Sequence, residues 1–185
     1  HRRLSIIDIS SAGHQPMQDI TETLSIIFNG EIYNFLELRE QLVELGHKFK
    51  SHSDTEVVLA SYRQWGQDCV NRFNGMFVFA IFNSIANTIF LARDRAGEKP
   101  IFYRHVDGEI RFGSELKSLM MDQTLPRKVD RESLDCYLAM GHVPSHRCIL
   151  QGFKKLPPAH ALSFDTVSGQ FKVWKYWEIP ELQGE

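Results

Sequence analysis

The strongest constraint on the fold is a nearly continuous apolar run at residues 76–82 (MFVFAIF). A run of this kind predicts a β-strand that is covered on both faces. Residues 83–87 predict a turn, and residues 88–92 (TIFLA) predict a second strand. We therefore expect a β-hairpin in the middle of a sheet, with other elements packed on both of its faces.

Helices and further hairpins are predicted on both sides of this pair of strands. Apolar residues at helical spacing follow Asn34, which can cap the helix start, and Gly46 is placed to end the helix. A second helix opens at residues 53–56 (SDTE). The other predicted elements are a strand at 1–7, a hairpin around 107–108, a helix at 130–138 and a hairpin around 168–169. This mixture of elements indicates an α+β fold.

The chain is long enough for one substantial hydrophobic core. It has 185 residues, of which 43% are hydrophobic and 24% charged, a composition typical of a globular domain. The composition changes near Pro126, and prolines interrupt the segment that follows. We therefore predict one domain at residues 1–125, with its C-terminal part and a connector at 126–185.

Charge and hydropathy exclude several classes of protein. The formal net charge of −2 gives no overall attraction to nucleic acid or to an anionic membrane. No apolar run approaches the roughly 18 to 20 residues that cross a bilayer, and the start lacks a signal-peptide pattern. Three widely spaced cysteines indicate neither a disulfide framework nor a metal site. We therefore expect a soluble, cytoplasmic protein without metal, nucleic-acid or membrane partners.

The dipeptide Asn29-Gly30 is the strongest candidate for chemistry. A buried strand is predicted to break there, where glycine frees the backbone of a Cβ atom. The asparagine carboxamide and the following N–H are both donors, and such donors form an oxyanion hole for acyl transfer. Glu31 would add a carboxylate to the same rim. Taken alone, Asn-Gly is more often a simple turn.

Two further charged residues are candidates for binding an amino acid. Arg3 offers a planar guanidinium that suits a carboxylate, although an exposed arginine on an edge strand is the simpler interpretation. Asp54 is placed either to cap the second helix or to pair with an ammonium group, and Ser53 could cap the helix instead.

Three other polar groups are weaker candidates. His14 is interpreted as an exposed or hydrogen-bonded loop residue rather than a general base. Cys69 is interpreted as a packed apolar residue rather than a nucleophile. The charged residues 93–99 predict a hydrogen-bonded turn, in which Asp94 and Arg95 fix the geometry of the sheet.

Five ordered motifs give the chain a specific resemblance. They are HRRLSIID at 1–8, GHQPM at 13–17, FNGEIYN at 28–34, SDTE at 53–56 and RDRAGEKP at 93–100. In this order they resemble the class II glutamine amidotransferases and, within them, the glutaminase domain of the glutamine-hydrolysing asparagine synthetases. Segments 141–144 (GHVP) and 155–158 (KLPP) resemble the stretch that leads from that domain toward the synthetase domain.

The resemblance implies the four-layer αββα sandwich of the N-terminal nucleophile hydrolases. It implies L-glutamine as the substrate and an oxyanion hole made by Asn29 and Gly30. Arg3 is expected at the α-carboxylate of glutamine and Asp54 at its α-ammonium group. The full set of implied substrate-binding residues is Arg3, Leu4, Ile6, Ile7, Asn29, Gly30, Glu31 and Asp54.

One departure concerns the nucleophile, which is an N-terminal cysteine in this family, whereas the sequence begins at His1. We therefore expect an N-terminally truncated domain that does not hydrolyse glutamine by itself. The resemblance also implies a synthetase domain of the same polypeptide, which binds ATP and Mg²⁺ and uses the ammonia for amide formation. It allows a homodimer, and it implies no cofactor in the glutaminase domain.

Two alternatives to an enzyme domain stay open at this point. One is a glutamine-binding module without a nucleophile. The other is a structural remnant of an amidotransferase that acts on a sugar or peptide carboxylate. Arg3, Asn29, Gly30, Glu31 and Asp54 occur together, which favours a working pocket, because a decayed site has no reason to keep complementary charges.

Overall fold

The computed structural model describes residues 7–8, 13–144 and 146–180. The strand predicted at 1–7 therefore lies outside the described residues except for Ile7. The strands are β1 (Met17–Gln18), β2 (Leu24–Ile32), β3 (Gly75–Asn83), β4 (Thr88–Arg93), β5 (Phe102–Val106), β6 (Glu109–Gly113), β7 (Lys154–Lys155), β8 (His160–Asp165) and β9 (Phe171–Lys175). The α-helices are α1 (Phe35–Glu44), α2 (Asp54–Trp65), α3 (Leu116–Leu119) and α4 (Arg131–Met140), and a 3₁₀ helix (Gly66–Arg72) follows α2 directly.

The strands form two antiparallel sheets. The larger sheet has the order β1-β2-β3-β4-β8-β9, and the smaller has the order β6-β5-β7. The hairpin predicted from the apolar runs is confirmed, since β3 and β4 pair in the centre of the larger sheet. The last predicted hairpin is confirmed as β8 and β9, which extend the same sheet beyond β4.

Three separate hydrophobic clusters show how the layers are stacked. Because side chains alternate along a strand, β3 sends Phe79 toward α1 and α2 and Val78 toward the smaller sheet. The second cluster therefore fills the space between the two sheets. A third cluster, around Leu119 and Phe153, packs α3 on the outer face of the smaller sheet. The order is helices, sheet, sheet, helix, as expected for an αββα sandwich.

The N-cap predicted for α2 is present in the structure, and the N-cap predicted for α1 is not. The Ser53 hydroxyl accepts the Thr55 N–H, so the predicted serine cap is confirmed. Asn34 precedes α1, but its side chain bonds the backbone of Arg72 and Asn74 instead of capping the helix. The expected cap at Asn34 was wrong because a neighbouring segment competes for the same carboxamide.

The charged turn after β4 is confirmed as a hydrogen-bonded turn built on Asp94. This carboxylate is fully buried. It accepts the backbone N–H groups of Phe77, Glu98 and Lys99 at 2.9 to 3.2 Å. Arg95 donates to the Asn71 carbonyl, 3.0 Å away.

The aromatic residues near the C-terminal end lie on the domain itself. Trp174 stacks on Phe90, and the Tyr176 hydroxyl donates to the Arg93 carbonyl at 2.7 Å. Both residues pack against the core of the larger sheet. Within the described ranges, none of the helices combines the length and apolar character needed to cross a bilayer.

Candidate functional site

A cavity of about 710 Å³ opens at the end of β2. It is lined by the end of β2, the beginning of α2, and the link between β6 and α3. Five of the predicted site residues line it together: Ile7, Asn29, Gly30, Glu31 and Asp54. The other three, Arg3, Leu4 and Ile6, lie outside the described residues.

Gly30 brings the backbones of β2 and β3 unusually close together. Its φ angle is 149°, and a Cβ atom at this position would lie 2.1 Å from the Met76 carbonyl oxygen and 2.7 Å from the Phe77 Cα atom. Only glycine fits here, since both neighbours are backbone atoms that cannot move aside. The strand expected to break at Asn29 and Gly30 continues instead to Ile32, and Gly30 pairs with Phe77. The predicted break in the strand was wrong, because the glycine serves a close approach of β2 and β3 and not a turn.

Alternation along β2 places Asn29 toward the cavity. The flanking Phe28 is buried in the core beneath α1 and α2, so the Asn29 side chain points to the opposite face of the sheet. Asn29 is exposed and Glu31 is half-buried. The Asn29 carboxamide and the Gly30 backbone are therefore at the same wall of the cavity.

Asp54 is the most buried carboxylate of the cavity, at 3% exposure. It is the first residue of α2, where the unpaired N–H groups and the helix dipole favour negative charge. One carboxylate oxygen accepts the Ile32 N–H at 3.2 Å, and the other accepts the Thr55 N–H at 2.9 Å. These bonds attach the start of α2 to the end of β2 and hold the carboxylate at the cavity wall.

The charged residues of the cavity are mostly acidic. Among the described lining residues they are Glu31, Asp54, Glu115 and Lys99. This arrangement suits a ligand that presents an ammonium group to Asp54. In the ranges that the structure describes, no cluster of three or more His, Cys, Asp or Glu residues could hold a metal ion.

His14 and Cys69, two of the three weaker candidates from the sequence, do not line the described cavity. His14 is exposed and Cys69 is fully buried in the core. Burial raises the pKa of the Cys69 thiol far above its usual range, so the thiol stays protonated. The interpretation of Cys69 as a packed apolar residue is confirmed.

Sequence reasoning missed several residues that line the cavity. Gln15 and Thr55 carry a weak signal, because each lies in a motif that was already singled out. Lys99 lies in the charged turn, and nothing local indicates that its loop reaches the cavity. The wall at residues 112–115 has no sequence signal, since it is brought there by the pairing of the smaller sheet.

A match to a protein-family model establishes which family the chain belongs to. The model of the glutamine amidotransferase domain matches residues 1–177. This chain belongs to the glutamine amidotransferase domain family. The suspected resemblance is confirmed.

Curated relatives of this amidotransferase domain are longer than the chain. Asparagine synthetase [glutamine-hydrolyzing] 3 of Bacillus subtilis is 41% identical over 184 residues, which cover 97% of this chain and 29% of that protein. Putative asparagine synthetase [glutamine-hydrolyzing] 2 of Methanocaldococcus jannaschii is 36% identical over 199 residues, which cover 99% of this chain and 38% of that protein. The chain therefore spans between a quarter and two fifths of these relatives.

Solved structures support the fold of the amidotransferase domain. Glutamine phosphoribosylpyrophosphate amidotransferase from B. subtilis superposes with a TM-score of 0.59 at 17% identity, over 88% of this chain and 32% of that chain. The allosteric regulatory enzyme of purine biosynthesis gives a TM-score of 0.61 at 17% identity, over 92% of this chain and 33% of that chain. With the layer order described above, these similarities confirm the four-layer αββα sandwich.

Proposed function

We propose that this domain binds L-glutamine in the cavity at the end of β2 and hydrolyses its side-chain amide to glutamate and ammonia. One observation carries the proposal. Asn29 and Gly30 line the same cavity as the buried carboxylate of Asp54, which is bonded to β2 through the Ile32 N–H. An amino acid held at Asp54 by its ammonium group can extend its side chain along β2 toward the two donors.

The residues divide into a binding end and a reacting end. Asp54 pairs with the α-ammonium group, and Arg3 is assigned to the α-carboxylate. Glu31, with the backbone of residues 4–7, completes the rim of the pocket. At the reacting end, the Asn29 carboxamide and the Gly30 N–H stabilise the negative charge that develops on the carbonyl oxygen.

The reaction is an acyl transfer to a thiol and then to water. By family resemblance the nucleophile is the thiolate of an N-terminal cysteine, whose α-amine carries the proton. The thiolate adds to the amide carbon, the C–N bond breaks, and ammonia leaves with the proton. Water then hydrolyses the thioester to glutamate. Asn29 and Gly30 hold the oxyanion in both additions.

The names of the relatives suggest how the ammonia is used. Proteins that match nearly the whole chain are named glutamine-hydrolysing asparagine synthetases. We propose that residues 126–185 end in a connector to a synthetase domain of the same polypeptide, where ATP and Mg²⁺ support amide formation. We further propose a cytoplasmic protein that can form a homodimer, and a glutaminase domain that needs no cofactor.

The experiment is a measurement of glutamate release by the protein that begins with the N-terminal cysteine. Asn29→Ala is expected to lower kcat by about 100- to 1000-fold, because one oxyanion donor is lost. Its Kd for L-glutamine should change far less than kcat, because the oxyanion forms only during the reaction and Asp54 still holds the ammonium group. Asn71→Ala, an exposed asparagine outside the described cavity wall, is the control. Unchanged turnover in Asn29→Ala would contradict the assignment, and glutamine binding without hydrolysis would favour a binding module.

A further inference from the structure

Gln15 is a buried side chain that belongs to neither the binding end nor the reacting end of the proposed glutamine site. It is only 4% exposed, and it lines the cavity beside Asp54 and Thr55. Its Oε1 atom accepts the Phe28 N–H at 2.7 Å, and its Nε2 atom donates to the Thr55 hydroxyl at 3.3 Å. Phe28 belongs to β2 and Thr55 to α2. The Gln15 carboxamide therefore joins the strand of the oxyanion donors to the helix of the ammonium site.

Strand register explains why a side chain performs this task. β1 pairs Met17 with Ile26 and Gln18 with Ser25, so an extension of β1 would place residue 15 opposite Phe28. β1 begins only at Met17, so no strand residue lies opposite Phe28 to offer its N–H a backbone acceptor. The Gln15 side chain supplies the missing acceptor. Its donor end is then free to reach α2.

A second bond attaches the same two elements on the other side of the oxyanion donors. Asp54 accepts the Ile32 N–H, and Gln15 accepts the Phe28 N–H. Residues 29–31 lie between these two points. Both attachments lead to adjacent residues, Asp54 and Thr55, at the start of α2. The segment that carries the oxyanion donors is thus fixed to the ammonium site at both ends.

We propose that Gln15 is a positioning residue that sets the distance between the oxyanion donors of β2 and the ammonium site on α2. The inference rests on the proposed function, because that distance matters only to a ligand that contacts both elements. A buried carboxamide suits the task, since it satisfies one donor and one acceptor at once and leaves no charge near Asp54. A glutamine substrate of fixed length requires this spacing for its amide to reach Asn29 and Gly30.

The first experiment uses amide hydrogen exchange of the 185-residue chain, measured residue by residue by NMR. Thr55→Val removes the hydroxyl that holds the Gln15 donor but leaves every backbone group of β2 intact. We expect the Phe28 N–H to exchange at least about tenfold faster in this variant, because its acceptor is no longer held in place. Gln15→Met should give an increase at least as large. Gln18→Met, an exposed glutamine on β1, should leave the Phe28 exchange rate unchanged.

The second experiment measures L-glutamine affinity in the same variants. Gln15→Met and Thr55→Val are each expected to raise Kd by about tenfold in a folded protein. The double variant should bind no more weakly than Gln15→Met alone, because both changes break one bridge. A residue that only stabilises the fold would lower the melting temperature without raising Kd, and its effect would add to that of Thr55→Val.

The outcomes separate the two proposals. Wild-type protein that fails to bind L-glutamine would contradict the proposed function, and the exchange data alone would then decide whether the bridge exists. Wild-type binding with unchanged Phe28 exchange in Thr55→Val would overturn the bridge while the proposed function stands. Additive losses of affinity would also overturn it. Faster Phe28 exchange together with non-additive losses of affinity would support both proposals.

Discussion

Asp54 and Asp94 are two buried carboxylates with different tasks. Asp94 is fully buried and Asp54 is 3% exposed. Each accepts backbone N–H groups, at the turn after β4 for Asp94 and at the start of α2 for Asp54. Only Asp54 is among the described residues that line the cavity.

The surroundings of Asp94 show what a purely structural carboxylate looks like. Its oxygens bind N–H groups from β3 and from the loop that follows β4. Arg93 beside it donates to the carbonyls of Gly97 and Lys99 in that loop. Burial and hydrogen bonding therefore do not by themselves mark a ligand-binding carboxylate. What marks Asp54 is its position in the wall of a cavity that also contains Asn29 and Gly30.

Asp94→Asn is expected to have the largest effect on stability. The asparagine has one oxygen, so one or two buried N–H groups lose their acceptor, at about 1–3 kcal/mol each. The melting temperature should fall by roughly 5–15 °C, measured by thermal denaturation followed by circular dichroism. Asp54→Asn is the matched variant. Its melting temperature should fall by less, because its remaining oxygen can still accept the Ile32 or the Thr55 N–H. Equal melting temperatures for Asp94→Asn and wild type would contradict the structural role assigned to Asp94.

Ser53→Ala is expected to have a smaller effect that is confined to the start of α2. The variant loses the hydroxyl that accepts the Thr55 N–H, which typically costs about 1 kcal/mol. For a chain of this size the melting temperature should fall by roughly 2–4 °C. Ser168→Ala, an exposed serine in the turn before β9, should change it less. A fall in melting temperature as large as that of Asp94→Asn would show that Ser53 stabilises more than the start of α2.

The smallest effect concerns Asp130, an aspartate cap that is not deeply buried. Hydrogen bonds from Ser133, with a smaller contribution from Arg147, lower the pKa of Asp130. A lowered pKa in the folded state means that this cap stabilises α4 above the ordinary aspartate pKa of about 3.9. The contribution is lost as the pH falls through the lowered value. Ser133→Ala should raise the pKa toward the ordinary value.

Carbon NMR of the side-chain carboxyl measures this Asp130 titration directly. Wild-type Asp130 should titrate below the ordinary aspartate pKa of about 3.9. If Asp130 titrates at the ordinary value, the assignment of its cap is wrong.

The sequence was informative where local pattern decides the structure. The apolar run at 76–82 predicted the central hairpin because burial on both faces requires apolar residues in succession. Ser53 was recognised as a cap because its neighbours in the chain are its partners. The charged turn at Asp94 was recognised for a similar reason, since most of its bonds lie within a few residues.

The sequence was misleading where distant segments decide. Gly30 suggested a turn, but the reason for glycine is the backbone of β3, which lies more than forty positions away. Asn34 suggested a helix cap, but Arg72 and Asn74 compete for its side chain. Asp54 was ambiguous from the sequence, since a helix start and a ligand site use the same residue type. Its place in the cavity wall depends on how α2 is attached to β2.

The assignment of Asp54 to the ammonium group of glutamine is tested most directly by calorimetric titration of the chain with L-glutamine, in wild type and in Asp54→Asn, with Asp68→Asn as an exposed control. We expect saturable binding by the wild type and by Asp68→Asn. Asp54→Asn should bind at least about 30-fold more weakly while remaining folded, because the ammonium group loses a buried charged partner. Wild-type affinity in Asp54→Asn would contradict the assignment of this carboxylate to glutamine.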